Sequence, residues 1–423
     1  MVSVAVVGSG ISGLICAQTI LKQIPEVKVA VYEWGRGPGG RTARRRVSIN
    51  ETSLSFDHAA PFFSSSTKLF RDGILNDWID RGIALPWVGK FASFSGNDDS
   101  TITTSTERFT GVPTMHSICK SLSNDIVTGG GEMLFGRHVL SANFDTVSDD
   151  CNSGRWRISA NNRFAADKAM QLENRQFDAL VLSDKLLVLP NQYAILSEVE
   201  TGELISLPPL KSEACVVLLL AFNKPAPSTF PGSSNTVCDV LKRGNNDEDK
   251  NAENNEGSDS AVRLIVHEST KPHRDDNKLD MWVVHSGSNY ALERLRPEID
   301  GEAPSLENED AVKSEMIAEF LQILNNQDST PVQYTPDAVA YSSVMVWDHA
   351  QVRMTDRLHK THLLDHERRI GVCGDFFSGE DGKEKQQLAT GVEAAALSGS
   401  ALGLSLVPHL EALIAERKHG AKM

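Results

Sequence analysis

The stretch Gly8-Ser9-Gly10-Ile11-Ser12-Gly13 limits the fold of this chain more than any other. It follows Val2 to Val7, a nearly continuous apolar run with the composition of a buried parallel strand, and it opens Ile11 to Lys22, a run of helical composition. A second apolar run, Val27 to Tyr32, completes a βαβ unit. Each glycine of such a turn has a physical task. Gly8 bends the chain tightly, Gly10 lets the backbone approach a pyrophosphate, and Gly13 lets the helix pack close to the strand. The helix start, with Ser12, offers free N–H groups and a positive dipole end to phosphates. Glu33 closes the second strand about 20 positions after Gly13, where an acid accepts hydrogen bonds from ribose hydroxyls. These residues predict a dinucleotide-binding Rossmann-like unit.

NAD and FAD share this fingerprint, and the following residues separate them. Glu33-Trp34-Gly35-Arg36-Gly37-Pro38-Gly39-Gly40-Arg41-Thr42 resembles the E-x(5)-G-G-R-[TM] extension of flavoproteins in the amine oxidase and renalase superfamily. The resemblance implies FAD as cofactor, with Gly39 and Gly40 passing close beside it and Arg41 setting a cation near its pyrophosphate. Phe56-Asp57-His58-Ala59-Ala60-Pro61-Phe62-Phe63 is similar to the superfamily's D-x-G-A-x-[YF]-[FI] segment, which places Ala60 and Pro61 beside the flavin. Ala59 stands where glycine is usual. Gly111-Val112-Pro113-Thr114-Met115 is similar to a G-[VM]-P-x-M stretch before a helix, and His138-Val139-Leu140 to the strand whose backbone valine, here Val139, holds the adenine. Gly371-Val372-Cys373-Gly374-Asp375 resembles the strand end where Gly374 and Asp375 meet the flavin's ribityl chain. Thr390-Gly391-Val392-Glu393 has capping-box spacing before an apolar helix, whose N-terminus at Gly391 and Val392 is implied to face the flavin's N1/O2 edge.

Two further segments resemble the renalase-like branch: Met281-Trp282-Val283-Val284-His285-Ser286, and Val346-Trp347-Asp348-His349-Ala350. That branch oxidises dihydropyridine isomers of NAD(P)H. Trp347 and His349 are therefore the catalytic candidates, with His285 a weaker one, because an imidazole orients an amide or a water. The expected activity is transfer of hydride from a small-molecule donor to flavin N5, with oxygen as acceptor. Flavin amine oxidation is the runner-up, and a non-catalytic flavin-binding regulator is a third reading. HExxH and GxSxG are absent from the sequence, and the second GxGxxG spacing, Gly35 to Gly40, lies inside the flavoprotein-like extension and does not join a strand to a helix in another βαβ unit, which argues against zinc hydrolysis, serine hydrolysis and a separate NAD(P)H domain. No metal site is expected, since the six cysteines are scattered without a CxxC.

The expected α/β fold has a Rossmann-like FAD-binding domain, made of a parallel sheet plus a β-meander, interleaved with an α+β substrate domain. Residues 1–80, 111–190 and 360–423 are assigned to the first, and 81–110 and 191–359 to the second. Strands are expected at Arg155 to Ala160, Phe177 to Ser183, Ala214 to Phe222 and Met281 to His285, and helices at Ala311 to Leu324 and Leu388 to Ile414. The stretch 242–260 holds almost no apolar residue and reads as a disordered loop. A formal charge of -14 repels phosphate backbones, so nucleic acid is an improbable partner. No membrane span is expected, because the apolar run Ala394 to Ala415 is interrupted by Pro408, His409 and Glu411. A start at Met1 suggests the cytoplasm, whereas a missing transit peptide would suggest the chloroplast. Oligomeric state is not legible.

Overall fold

The structure, a computed structural model, describes residues 1–49, 51–89, 91–95, 99–102, 107–146, 154–164, 172–189, 195–196, 210–223, 240–243, 260–274, 279–296, 304–325, 335–353, 356–379 and 391–420. The chain opens with β1 (Ser3–Val7), α1 (Ile11–Gln23) and β2 (Lys28–Glu33), the two strands pairing in parallel. Among the described residues, the sheet they begin has six strands, in the order Leu363–Asp365, Ile370–Val372, Ala179–Leu182, β1, β2 and Glu132–Phe135. All neighbours are parallel except the first pair. Both faces are covered, which is why its strands read as unbroken apolar runs. Val4, Val6 and Val31 face α1, the helix His116–Thr128 and the C-terminal helix Gly391–Gly420. Ala5, Val7 and Tyr32 face a three-stranded meander of Arg137–Asp145, Arg155–Asn162 and Leu172–Phe177.

The C-terminal helix lies directly on α1. A Cβ on Gly399 would collide with the Ser12 backbone, and one on Gly403 would lie 3.0 Å from the Cys16 carbonyl oxygen, so glycine lets the two helices approach backbone to backbone. The helix is long and apolar enough to cross a membrane by length and composition, yet its stripe of Ala396, Leu402, Leu406 and Leu410 belongs to the core shared with α1. Pro408, expected to interrupt this run, lies inside the helix. It removes the N–H that the Leu404 carbonyl would otherwise pair with, on a stretch of the helix where Leu404 is half exposed.

The second large sheet has seven strands among the described residues: Val339–Val352, Ser212–Asn223, Leu279–His285, Leu264–His267, Val240–Arg243, Phe91–Ser95 and Asp99–Ile102. One face packs on the helix Glu309–Asn325 and the other on the hairpin Arg44–Ile49 and Thr52–Asp57.

Three sequence expectations need correction or fall outside the described residues. Phe177 to Ser183 is not one strand: Leu172–Phe177 ends the meander and Ala179–Leu182 enters the parallel sheet. Between them the buried Asp178 carboxylate accepts from Ser3 N at 2.8 Å, Arg155 Nε at 3.1 Å and Arg417 Nη2 at 2.5 Å. Burial opposes its charge, but Arg417, the Ser3 N–H and Arg155 outweigh it and hold the carboxyl below its usual range. The polar stretch 242–260 begins inside the strand Val240–Arg243, and its residues 244–259 lie outside the described residues. Thr390, the proposed cap, also lies outside them. The Glu393 carboxylate accepts from the backbone N–H and hydroxyl of both Ser66 and Thr67, at 2.7–2.9 Å.

Candidate functional site

A cavity of about 720 Å³ runs past the C-terminal ends of β1, β2, Ala179–Leu182 and Ile370–Val372, where open parallel sheets place their ligands. The glycine turn forms its floor. Gly8 has φ +100 and donates its N–H to Tyr32 O at 2.9 Å; a side chain there would be strained and would meet Ser183. The Ser183 hydroxyl donates to Val7 O at 2.8 Å, while the Ser12 hydroxyl donates to Ser183 O at 3.1 Å. A Cβ on Gly13 would collide with the Gly8 carbonyl oxygen, so that glycine serves close packing of helix on strand. Gly10 is different: nothing lies within 4 Å of where its Cβ would stand. It caps α1 and leaves its Cα side open to the cavity.

Glu33 also lines the cavity, and its carboxylate shapes the turn. Oε2 accepts from Ser9 N at 3.0 Å and Ser9 Oγ at 2.5 Å, and Oε1 accepts from Gly35 N at 2.6 Å. A carboxylate has about four lone-pair directions, which leaves roughly one for a ribose hydroxyl.

Gly39 (φ +148) and Gly40 (φ +52) bring the next turn alongside, held by a 3.0 Å bond from Gly39 N to Ser9 O. Arg41 then departs from its sequence expectation. Its guanidinium grips Asp375 through two bonds of 2.6 Å and donates to Ala350 O at 3.0 Å, so the residues expected on pyrophosphate and ribityl chain hold each other. Both still line the cavity. Burial works against the Asp375 charge, but Arg41, Lys185 and Arg357 outweigh it and hold the carboxyl at about 2. The pair stitches the N-terminal turn to a strand end 334 positions away.

Of the other expected residues, Ser12, Ala60, Val139, Gly391 and Val392 line the cavity, whereas Gly13, Pro61 and Gly374 lie behind its wall. Trp347 and His349 are not on the wall either, though Ala350 and Gln351 beside them are. The sequence reading missed several lining residues. Trp34 stacks on His138 with ring centres 5.0 Å apart and planes 14° from parallel, and the Arg163 guanidinium lies 4.5 Å from the Trp34 ring centre. Burial, then Arg163, lowers the His138 pKa. Ser183, Asp184, Arg263, Gln351 and Arg357 complete the wall from other parts of the chain. No local motif marks them.

Residues 6–75 match the family model described as NAD(P)-binding Rossmann-like domain. The fold is Rossmann-like. A search of curated proteins finds no match in sequence. Among solved structures, a protein from Exiguobacterium sp. 255-15 with the provisional name protoporphyrinogen oxidase superposes with TM-score 0.57 at 10% identity, over 96% of this chain and 98% of its own. A P15I-A394C double mutant of putrescine oxidase superposes with TM-score 0.54 at 10% identity, over 96% of this chain and 99% of its own. Aklavinone-11 hydroxylase, in a complex with FAD and aklavinone, gives TM-score 0.54 at 14% identity, over 97% of this chain and 63% of its own. At such identities the likeness is one of fold, and it spans both large sheets of this Rossmann-like chain.

Behind the cavity wall sits a cluster that no sequence motif announced. Asp57, Glu268, Lys271 and Arg274 are each at most 5% exposed. Asp57 Oδ2 meets Lys271 Nζ at 3.1 Å and Arg274 Nη2 at 2.7 Å, while Glu268 pairs with Lys271 and, at 3.0 Å, with Arg274 Nη1. Two charges of each sign cancel, and hydrogen bonds with the backbone add to the pairing: Met115 N donates to Asp57 Oδ1 at 3.0 Å, and Arg274 Nε to Pro113 O at 2.8 Å. Burial pushes the Glu268 carboxyl up, against the pull of Lys271 and Arg274. The cluster fastens the hairpin end at Asp57 to the segment 268–274 of the seven-stranded part. Two residues further on, Ala59 and Ala60 enter the cavity wall.

Proposed function

We propose that the protein is an FAD-dependent oxidoreductase of the renalase-like kind, taking hydride from a dihydropyridine nucleotide isomer, with oxygen as electron acceptor. The observation that carries this reading is the cavity wall. The glycine turn, the Gly39–Gly40 turn, Asp375 and the starts of two helices meet in one cleft although they come from opposite ends of the chain. The wall suits a dinucleotide. Gly10 leaves open the space a side chain would fill, Ile11 and Ser12 present the N-terminal end of α1, and Gly391, Val392 and Ala395 present that of the C-terminal helix. Tyr32, Val139 and the Trp34–His138 stack give the far end an aromatic and apolar face suited to a purine. The volume falls within the ~300–1,000 Å³ of cofactor and ligand clefts.

Bound flavin supplies the redox chemistry, accepting a hydride and passing its electrons to an acceptor. The protein's own part is to bind, orient and exclude. Glu33 engages ribose, the two helix ends face negative charge on the cofactor, and the Arg41–Asp375 pair holds the cleft's two halves together. Arg263, which also pairs with Glu213 at 3.4 Å, and Arg357 line the cavity, and their charge supports a phosphate-bearing donor over an alkylammonium one. That contrast supports the nucleotide reading over amine oxidation.

The test is the visible spectrum of the purified protein before and after anaerobic addition of isomer-containing NAD(P)H, with a panel of primary amines in parallel. Flavin bands that bleach with the dihydropyridine isomers are expected. Bleaching by amines alone would replace this reading with amine oxidation, flavin that no donor bleaches would leave a binding protein, and absence of flavin would end the argument.

A further inference from the structure

The strand Arg44–Ile49 opens with three consecutive arginines on a chain of formal charge -14. Elsewhere in the molecule Arg41, Arg81, Arg155, Arg274 and Arg417 each pair with an acid. Among the described residues, the side chains of Arg44, Arg46 and Lys120 make no ion pair or hydrogen bond. Residues 44 and 46 point to the face of their register partners Asp57 and Ser55, and residue 45 to the other. The helix His116–Thr128 is fastened beside the first face: Met115 N donates to Asp57 Oδ1 at 3.0 Å, and Cys119 Sγ lies 3.2 Å from Thr42 Oγ1. His116 and Lys120, four positions apart, share one side of that helix. Four basic side chains thus crowd one place. Burial, then Arg44, Lys120 and Arg46, lowers the His116 pKa, with the Pro38 carbonyl pulling the other way. Burial, then Arg46, lowers that of Arg44 against the pull of Asp57, whose carboxylate is already committed to Lys271 and Arg274.

We propose that Arg44, Arg46, His116 and Lys120 form a second binding site, outside the cavity, for the phosphate group of a small soluble anion. None of the four lines the cavity; they stand behind the turn whose Gly39 and Gly40 do. Guanidinium and ammonium groups only donate, and a phosphate offers only acceptors, which a guanidinium meets two at a time. Arg46 and Lys120 are exposed, and Arg44 and His116 half-buried, so the face is open to solvent. Its size selects the ligand. Residues two apart on a strand stand about 7 Å from each other, and residues four apart on a helix about 6 Å. Charges in physiological salt are screened over about 8 Å. A compact phosphate seated here feels three fixed cations and little of the acidic remainder. Nucleic acid, an acidic protein or a lipid surface would extend past the face and meet the chain's net negative charge. Negative charge on the face also favours the protonated imidazole of His116, so a dianion gains a fourth cation where a monocarboxylate gains less.

The experiment is calorimetric titration of the flavin-bearing protein, freed of excess FAD, with pyrophosphate, glycerol 3-phosphate and acetate at constant ionic strength. Saturable binding of a phosphate, with the flavin absorbance unchanged and acetate bound much more weakly, is the expected result. Arg46→Gln and Lys120→Gln should each weaken that binding about fivefold, whereas Arg45→Gln, the same loss of charge on the opposite face of the strand, should change it less than about twofold. No saturable binding, equal affinity for acetate, or equal losses in Arg45→Gln and Arg46→Gln would each overturn the proposal. Release of flavin in step with the titration would move the anion into the cavity and overturn it as well. So would binding of phosphatidylglycerol vesicles without binding of either free phosphate. If a variant fails to fold, the three-anion series on the unaltered protein still decides. A protein that carries no flavin would defeat the oxidoreductase reading and leave this one standing, because the same titrations and variants report on a face that the cavity does not include.

Discussion

The glycine cradle and the buried charge cluster stand almost side by side, with only His58 between Asp57 of the cluster and Ala59 of the cavity wall, yet they are built on opposite principles. The cradle is made of backbone: missing side chains at Gly8, Gly10 and Gly13, N–H groups at a helix start, and one carboxylate, Glu33, that bonds within the turn. The cluster is made of side-chain ends, two carboxylates and two cations drawn from separate regions and removed from water together. Removing a methyl's worth of space damages the first. The second is damaged by leaving one charge without its counterpart. The contrast teaches that this cavity is shaped locally but held at its working width by partners far off in the chain.

The most forceful way to break that contrast is to remove one member of the cluster. Asp57→Ala or Glu268→Ala leaves a buried cation uncompensated and should lower stability by about 3–5 kcal/mol in thermal or denaturant unfolding. A loss below about 1 kcal/mol would show that the cluster is not what holds the wall.

A second prediction probes the residue between the two regions. The folded pKa of His58 is lowered from 6.5 to about 4, so the unfolded chain takes up its proton first as pH falls. The associated stability is fully present above about pH 6.5 and declines as pH falls through about 4, by roughly 3 kcal/mol in all. His58→Phe should flatten that limb of the denaturation midpoint against pH, and an unchanged limb would assign it to other groups.

The Arg41–Asp375 pair gives the third. Asp375 is held at about 2 against an ordinary 3.8, so its contribution, about 2 kcal/mol, is present above about pH 3.8 and lost as pH falls through about 2. Asp375→Asn should abolish this acid limb, and retention of the limb would separate the pair from stability.

The smallest effect on the fold sharpens the comparison most. Gly13→Ala forces a Cβ onto the Gly8 carbonyl and should cost about 1–3 kcal/mol even without cofactor. Gly10→Ala meets nothing within 4 Å, so the flavin-free protein should change by less than about 0.5 kcal/mol while flavin retention falls sharply. Flavin retained in full by Gly10→Ala would remove this turn from the site.

Much of the cradle was legible because its parts lie within some forty residues and its signals are types of residue rather than pairs. Gly10 announces an open approach and Gly13 a close one wherever they follow a strand. The cluster was not legible because Asp57 finds its cations 214 and 217 positions away, and an isolated Asp, Lys or Arg reads as a surface residue. The same distance hid the Arg41–Asp375 pairing: both residues were singled out, but for a cofactor and not for each other. Phe177 to Ser183 looked like one strand because all its apolar residues suit a sheet, and the buried Asp178 that divides it is recognised only through Ser3, Arg155 and Arg417.

Sequence alone was enough for the βαβ unit, the task of each glycine in its turn and the acid at the end of β2, since short-range sterics and hydrogen bonding leave few alternatives there. Which charges meet in the interior, that Glu393 clamps Ser66 and Thr67, and that His58 stacks on Trp347 were settled by packing, because these contacts join residues hundreds of positions apart and exist only once the two sheets have closed on each other.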